Sequence, residues 1–451
     1  MIDIAILKKA RLSKDSRYDG KFFIGAKTTK IFCRNVCPVK PPKEENVEYF
    51  HLAAQAINVG YRPCLRCRPE SAPNSYAWQG VDTTLIRAMS LLRENFDLDL
   101  LKISEKLGVS DRYLRKLFQD RLGLSPKQFQ LTEQLLFAKK LLHQTALSIE
   151  QIALTIGFQS SRRLQDNFRK FFKLSPSEIR RNNDAKNQQY IELQLSYTEP
   201  YNWERMRDFL ERRAIQDVEF IGKYSYGRNF QWLDTYGYFE ATFTPKNRCF
   251  NIKIYANQFD KLYNILQNIR RVFDLDVDTN FVSQQLKQTG LSADVLISGL
   301  RLPGVWSVFE AGCRAIMGQQ VSVIAAINHL SLFVNKIGNE QNGRLFFPTA
   351  IQVLNTDLNF LKMPKARIQT LHAFAEMMSG REAQVNPEEW AKIRGIGPWT
   401  IAYAKMRGLS DPDIWLDSDL VIKKMLSRYK LNSNEATAWR SYLTLQLWGM
   451  L

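Results

Sequence analysis

Four of the six cysteines fall within residues 33–67, as Cys33-x3-Cys37 and, after 26 intervening residues, Cys64-x2-Cys67. Two close pairs separated by a loop are the plan of a tetrahedral four-cysteine zinc site. A disulfide framework is the competing use of such cysteines, but it belongs to exported proteins. The N-terminus, MIDIAILKKARLSKDS, lacks the apolar core and cleavage site of a signal peptide. Reduced thiols in a cytosolic compartment fit better. Cys249 and Cys313 stand alone and are expected in cores. Lys27, Lys30, Arg34, Arg62, Arg66 and Arg68 lie close to the thiols in sequence. They would offset the net negative charge of a four-thiolate zinc centre and could hold phosphates.

The charge balance points the same way. The chain has 451 residues, a net charge of +18 and a pI of about 9.5, which favours a polyanionic partner. The excess is +7 over residues 1–80, +6 over 81–185 and +5 over 186–451, so it is not a basic tail. The length allows roughly two to four domains. No apolar run reaches membrane length, so a soluble protein without a membrane partner is expected.

A repeat follows a polar stretch, PESAPNSYAWQG, that reads as a linker. Helix Leu100–Leu107, turn Gly108-Val109-Ser110 and helix Asp111–Leu122 are matched by Ile149–Ile156, Gly157-Phe158-Gln159-Ser160 and Ser161–Phe172. Phe118 and Leu124-Ser125-Pro126 recur as Phe168 and Leu174-Ser175-Pro176. Helix, glycine turn, helix, with polar residues early on the second helix, is helix-turn-helix chemistry. Ser110, Asp111, Arg112 and Arg115 in the first unit are candidates to face DNA. Ser160, Ser161, Arg162, Arg163 and Gln165 are the candidates in the second. An ordinary solvated helix face is the alternative for each residue taken singly.

A second polar stretch, 181–189, separates this repeat from a region of mixed character. Residues 190–197 alternate as a strand should, 203–213 read as helical, and 218–256 hold several strand-like runs. From Leu302 the pattern is helical almost to the end. Within it, Asn386-Pro387-Glu388-Glu389-Trp390 opens a short helix. Gly395-Ile396-Gly397 makes a tight hairpin, Pro398-Trp399 starts a helix that Gly408 is expected to cap, and Asp419 heads a third helix. Backbone N–H groups at such a hairpin and helix start form a seat for phosphate. An acid beside that seat suits chemistry on a nucleic-acid sugar, although Asp419 also reads as a helix N-cap.

Three resemblances cover the chain. TKIFCRNVCP…GYRPCLRCRPE resembles the methyl-acceptor zinc domain of Ada-type adaptive-response proteins, over about residues 3–75. The resemblance implies one Zn²⁺ on Cys33, Cys37, Cys64 and Cys67, with Cys33 accepting a methyl group from a DNA methylphosphotriester. An inert zinc ribbon is the alternative. Residues 82–182, and SIEQIALTIGFQSSRRLQDNFRKFFKLSPSEIR above all, resemble the AraC-type double helix-turn-helix domain. Residues 190–451 resemble the AlkA-type, 3-methyladenine glycosylase II group of helix-hairpin-helix DNA glycosylases. The blocks LPGVWSVFEAGCRAIMGQQVSV, IRGIGPWTIAYAKMRG, LDSDLVIKK and WRSYLTLQLWG carry that match in order.

The last resemblance implies the following roles. Gly395, Ile396 and Gly397 grip a DNA phosphate, with a monovalent cation. Asp419 is the catalytic acid. Trp399, Tyr403, Trp439 and Phe209 line the base pocket, and Gln320 fills the gap left by the flipped base. Trp399 stands where many relatives carry a lysine that cuts the strand, which favours a monofunctional glycosylase using water. The family's Pro-Asp before the catalytic acid is Asp417-Ser418 here.

The expected architecture is therefore multidomain α+β. It comprises a zinc domain (1–78), an all-α double helix-turn-helix domain (79–183), an antiparallel α+β domain (188–298) and an all-α helix-hairpin-helix domain (299–451). The expected function is alkylation response: methyl sensing at Cys33, switched DNA binding with RNA polymerase as partner, and excision of N-alkylated purines from double-stranded DNA. Arg34 and Arg66 join the DNA-contact candidates. A monomer in the cytoplasm, on the bacterial nucleoid, is expected. The alternative is a transcriptional regulator whose glycosylase-like half only binds DNA.

Overall fold

The computed structural model describes residues 4–15, 18–51, 53–64, 66–67, 69, 83–94, 96, 99–180, 190–380 and 386–450. Arg68, nearly all of the first linker and the whole of the second lie outside the described residues. The architecture is multidomain α+β, in two compact units. The first unit comprises Met1–Thr198, Asn247–Lys253 and Gln258–Gln267; the second comprises Glu199–Lys246, Ile254–Asn257 and Asn268–Leu451.

The first unit opens with a small sheet in the order Val47–Phe50, Phe23–Ala26, Ile31–Arg34, Arg62–Pro63. The first three strands are antiparallel and the last pairs in parallel with Ile31–Arg34. Phe22, Phe32 and Tyr61 are buried beneath it. This sheet carries both cysteine pairs. Cys33 sits on a strand opposite Ile24, and the Cys64 N–H donates to the Phe32 carbonyl at 2.9 Å.

The repeat folds as its sequence demands. Helices Leu100–Leu107 and Asp111–Leu122 recur as Ile149–Thr155 and Ser161–Phe172. Gly108 ends the first helix at φ +67, a left-handed conformation that glycine adopts without cost. Ser110 accepts the Tyr113 N–H at 3.2 Å and Ser160 accepts the Arg163 N–H at 3.3 Å, so both serines cap their second helices. Leu114, Phe118, Leu164 and Phe168 are fully buried. Helix Pro126–Gln144, opened by a Ser125/Gln128 capping box, joins the two copies.

The first unit also takes in chain from beyond the second linker. Strand Ile191–Ser196 approaches helix Pro126–Gln144, and the Gln194 N–H donates to the Gln144 side chain at 2.9 Å. Tyr263 is buried with its ring 4.5 Å from Phe96 and 4.8 Å from Phe137.

In the second unit, strands Glu219–Ile221, Ser225–Trp232 and Thr235–Thr244 form successive antiparallel pairs. A buried ionic cluster fixes this sheet to helix Val308–Met317. Arg228 bonds Glu310 at 2.9 Å, and Arg314 bonds both Glu219 at 2.5 Å and Glu310 at 2.7 Å. Burial alone would raise the Glu219 carboxyl; Arg314 and Arg228 instead bring it down to about 2.

Helix Pro398–Gly408 lies between two hydrophobic clusters. It gives Ile401 and Ala404 to one, with Phe309, Phe374 and Trp390. It gives Met406 to the other, with Leu416, Met425 and Tyr442, and Trp399 packs against that second cluster. Gly408 does not cap this helix as expected: Leu409 is the cap residue. A Cβ on Gly408 would meet Ala311 Cβ at 2.9 Å and Val308 Cα at 3.1 Å, so the glycine permits close packing of two helices. Residues 387–392 form a 3₁₀ turn, with Asn386 accepting the Glu388 N–H. Among the described residues no helix is long and apolar enough to cross a membrane.

Candidate metal centre and active site

The four sulfurs of Cys33, Cys37, Cys64 and Cys67 all lie within 4.8 Å of one another. Four thiolates on one zinc at ordinary Zn–S lengths stand about 3.8 Å apart, so the quartet fits the ion. Hydrogen bonds among the thiols couple their protonation, lowering Cys37 and Cys64 and raising Cys33 and Cys67. Cys37, Cys64 and Cys67 are buried; Cys33 is only half-buried. The Arg34 N–H donates to Cys67 Sγ at 3.3 Å. Its guanidinium donates to Asp19 Oδ1 at 2.7 Å and to the Cys67 carbonyl at 3.3 Å. Arg34 is thus committed to Asp19, which moderates the cationic surround read from sequence. Arg66 is exposed. Cys249 and Cys313 are buried apart from this quartet, as expected.

At the hairpin the two glycines differ. Gly395 has φ +94, and a Cβ there would meet Thr370 Oγ1 at 2.2 Å. Thr370 is held in place by its hydroxyl, which donates to the Arg394 carbonyl at 2.9 Å. Gly397 has φ −99 and nothing within 4 Å of an added Cβ, so local packing does not require a glycine there. The tight hairpin thus requires a glycine at 395 but not at 397. The Ile396 N–H donates to the Ile393 carbonyl at 3.1 Å and its side chain is buried.

Gln319 ties the preceding loop to this hairpin, donating to the Gly395 carbonyl and to Thr400 Oγ1, each at 3.0 Å. The next residue, Gln320, is exposed and sits at φ +55. A non-glycine residue held in that region costs on the order of 1 kcal/mol and persists only where its surroundings impose it.

Asp419 receives four N–H groups. Oδ1 accepts from Val421 at 3.0 Å, from Ile422 at 3.2 Å and from the Trp448 indole at 3.2 Å. Oδ2 accepts from the Trp399 indole at 3.3 Å. The N-cap reading is therefore true of Asp419, but the cap engages one carboxylate oxygen. The two indoles hold the carboxylate in a fixed orientation against the aromatic set. Asp417 and Ser418 are exposed beside it. Lys405, the first lysine after the hairpin, is paired with Glu388 at 2.8 Å.

Trp399 stacks on Tyr403, with centroids 5.1 Å apart and planes 22° apart. Phe209 stands nearly parallel to Trp448 at 6.4 Å. Burial would raise the Tyr403 phenol, but Arg407, which donates to its oxygen at 3.1 Å, and Arg213 carry it below the ordinary value. Three of the four expected pocket aromatics thus meet around Asp419. Trp439 is placed otherwise. It is 8% exposed and its ring contacts are with Phe281 and Tyr442. Trp448 occupies a site the sequence reading missed. Both tryptophans lie in WRSYLTLQLWG, and only the helix Arg440–Trp448 decides which one meets Asp419.

On the helix-turn-helix faces, Arg112, Arg115, Arg162 and Arg163 are all exposed. Arg115 lies 3.5 Å from Asp111, and Arg163 donates to the Gln159 side chain at 3.1 Å.

Models of three families match the chain: the metal binding domain of Ada over residues 7–70, a helix-turn-helix domain over 103–182 and the AlkA N-terminal domain over 192–307. The probable bifunctional transcriptional activator/DNA repair enzyme AlkA of Mycobacterium tuberculosis is 29% identical over 479 residues, spanning 98% of this chain and 95% of its own length. All the domains therefore recur together in one relative. The chain belongs to the Ada family, with an AlkA-type region fused to it. Its two ends resemble separate proteins. The bifunctional transcriptional activator/DNA repair enzyme AdaA of Bacillus subtilis is 30% identical over 38% of this chain and 80% of its own length. The DNA-3-methyladenine glycosylase 2 of Escherichia coli is 28% identical over 56% of this chain and 95% of its own length.

Proposed function

We propose that this protein senses alkylated DNA at Cys33 and excises alkylated bases at Asp419. The observation that carries the enzymatic reading is the clamped carboxylate. Asp419 is held by two indole N–H groups within a cluster of aromatic rings, one helix away from a glycine hairpin. N-glycosidic cleavage builds positive charge on the sugar. A fixed carboxylate stabilises that charge and orients the attacking water. The damaged nucleotide leaves the stack, and Gln320 fills the gap. A DNA phosphate sits at the hairpin against the N–H groups of Gly397 and Trp399, where a monovalent cation would offset its charge. With Trp399 in place of a lysine and Lys405 engaged by Glu388, water is the nucleophile and the product is an abasic site. The substrates are N-alkylated purines such as 3-methyladenine and 7-methylguanine.

At the metal centre, bound Zn²⁺ would hold Cys33, Cys37, Cys64 and Cys67 as thiolates at neutral pH. Cys33, the least buried, attacks the methyl carbon of a methylphosphotriester. A C–S bond forms, the C–O bond breaks, and its electron pair restores the phosphodiester anion. The site loses one negative charge, which strengthens DNA binding by the helix-turn-helix faces through Arg112, Arg115, Arg162 and Arg163. The protein then activates transcription with RNA polymerase, as a monomer in the bacterial cytoplasm.

The deciding experiment is release of 3-methyladenine from alkylated DNA by wild type and by Asp419→Asn. Asparagine keeps the helix cap and removes the charge. Release by wild type and loss in the variant is expected; no release by wild type defeats the enzymatic reading. Mass spectrometry after incubation with methylated DNA tests the sensor. One added methyl on Cys33 is expected, and none, or one elsewhere, defeats it.

A further inference from the structure

Phe209 does not present a bare ring. The Arg213 guanidinium lies 3.9 Å from its centroid and that of Arg407 lies 4.6 Å away. Arg407 also bonds the Tyr403 hydroxyl at 3.1 Å; Tyr403 stacks on Trp399, and Trp399 bonds Asp419 at 3.3 Å. The aromatic set therefore runs from a carboxylate at one end to two guanidinium groups at the other. The nearby carboxylates are committed elsewhere: Glu310 to Arg228 and Arg314, and Glu219 to Arg314. Among the described residues no carboxylate is in ion-pair contact with Arg213 or Arg407. Burial lowers Arg213 only to about 10, so it is cationic at neutral pH.

This polarity bears on which bases suit the pocket. A cationic alkylpurine entering beside two guanidinium groups meets like charge. It departs as a neutral base, so it needs little help in leaving. A neutral lesion is the opposite case. When its C1′–N bond breaks, the electron pair goes to the base, which becomes an anion until it takes a proton. Water supplies its oxygen to C1′ and its proton, in the balance, to the departing base. A cation beside the ring stabilises that developing negative charge, while Asp419 stabilises the positive charge on the sugar.

We propose that Arg213, backed by Arg407, is a specificity-determining residue that weakens binding of cationic bases and promotes departure of neutral purine lesions. This rests on the glycosylase reading above and concerns how these two side chains rank its bases.

The test uses the full-length protein on two duplexes of one sequence, carrying either 7-methylguanine (cationic) or hypoxanthine (neutral). For wild type, binding of the cationic duplex is expected to be no tighter than that of the neutral one. For Arg213→Gln, affinity for the cationic duplex is expected to rise roughly ten-fold. Its single-turnover rate constant divided by Kd is expected to fall roughly ten-fold on hypoxanthine, with little change on 7-methylguanine. Arg213→Lys, which keeps the charge, is expected to restore the wild-type ratio. Equal changes on both substrates, or wild-type binding more than about ten-fold tighter to the cationic duplex, would overturn the proposal. The wild-type comparison holds even where a variant does not fold. Absence of release from both duplexes defeats the glycosylase reading instead, and the binding comparison still decides the role of Arg213.

Discussion

The cysteine quartet and the Asp419 pocket are both small polar sites on DNA-directed domains, yet they are assembled in different ways. The quartet comes from 35 consecutive positions on one small sheet, and its own ligands hold it together. The pocket draws Phe209, Trp399, Tyr403, Asp419 and Trp448 from four helices spread over more than half of the chain. A metal can organise a short segment outright, because its binding energy is folding energy. A carboxylate among aromatic rings needs a preformed core on each side. The two proposed roles differ in the same way, a single covalent event at Cys33 and repeated turnover at Asp419.

If that contrast holds, zinc removal should have the largest and most local effect. Cys64→Ser should abolish stoichiometric zinc binding, whose free energy is on the order of 10 kcal/mol, and unfold the small sheet. Base release from alkylated DNA should survive. Atomic absorption and the release assay check both, and loss of release alongside zinc would break the contrast.

Asp419→Asn should lower base release by about 100- to 1000-fold. Its melting temperature should be nearly unchanged, because asparagine caps helices as well as aspartate. A large drop in melting temperature would assign Asp419 to structure. Trp448→Phe removes one N–H from the carboxylate and should slow release by about ten-fold, the worth of one charge-assisted hydrogen bond. Trp439→Phe should affect stability more than rate, and the reverse ranking would restore Trp439 to the pocket.

The hairpin offers a finer comparison. Gly395→Ala should cost about 2–3 kcal/mol in chemical denaturation, from its positive φ and the clash with Thr370. Gly397→Ala should cost under about 1 kcal/mol and weaken DNA binding instead. Smallest of all, Ser110→Ala and Ser160→Ala should each cost about 1 kcal/mol through lost caps. Equal effects at the two serines are expected if the repeats are energetically alike.

The division of what could be read follows the same line. The cysteine spacing, the repeated Gly-turn units and the Gly395–Gly397 hairpin were legible because each is a local rule: metal ligand spacing, helix periodicity with caps, and left-handed backbone. The helices Leu100–Leu107, Asp111–Leu122 and Ser161–Phe172 stand where the pattern puts them. Asp419 came forward through its motif. That it is both a helix cap and a carboxylate held by two indoles was not visible until Trp399 and Trp448 were seen to share its oxygens.

Gly408 and Trp439 show where local rules mislead. A glycine near a helix end reads as a cap, but here it admits a neighbouring helix. A tryptophan in a block that resembles the glycosylases reads as pocket, but Trp439 faces Phe281 and Tyr442. The pairing of Arg34 with Asp19 and the guanidinium layer over Phe209 likewise join residues with no periodic relation in sequence. By itself the sequence determined the domain types and singled out the four cysteines as one set, since these rest on spacing and local backbone chemistry, while Asp419 came forward through a motif resemblance. Only the tertiary structure decided which tryptophan holds Asp419, which glycine of the hairpin is sterically required, and what charge lies behind the pocket, because those depend on side chains brought together by packing alone.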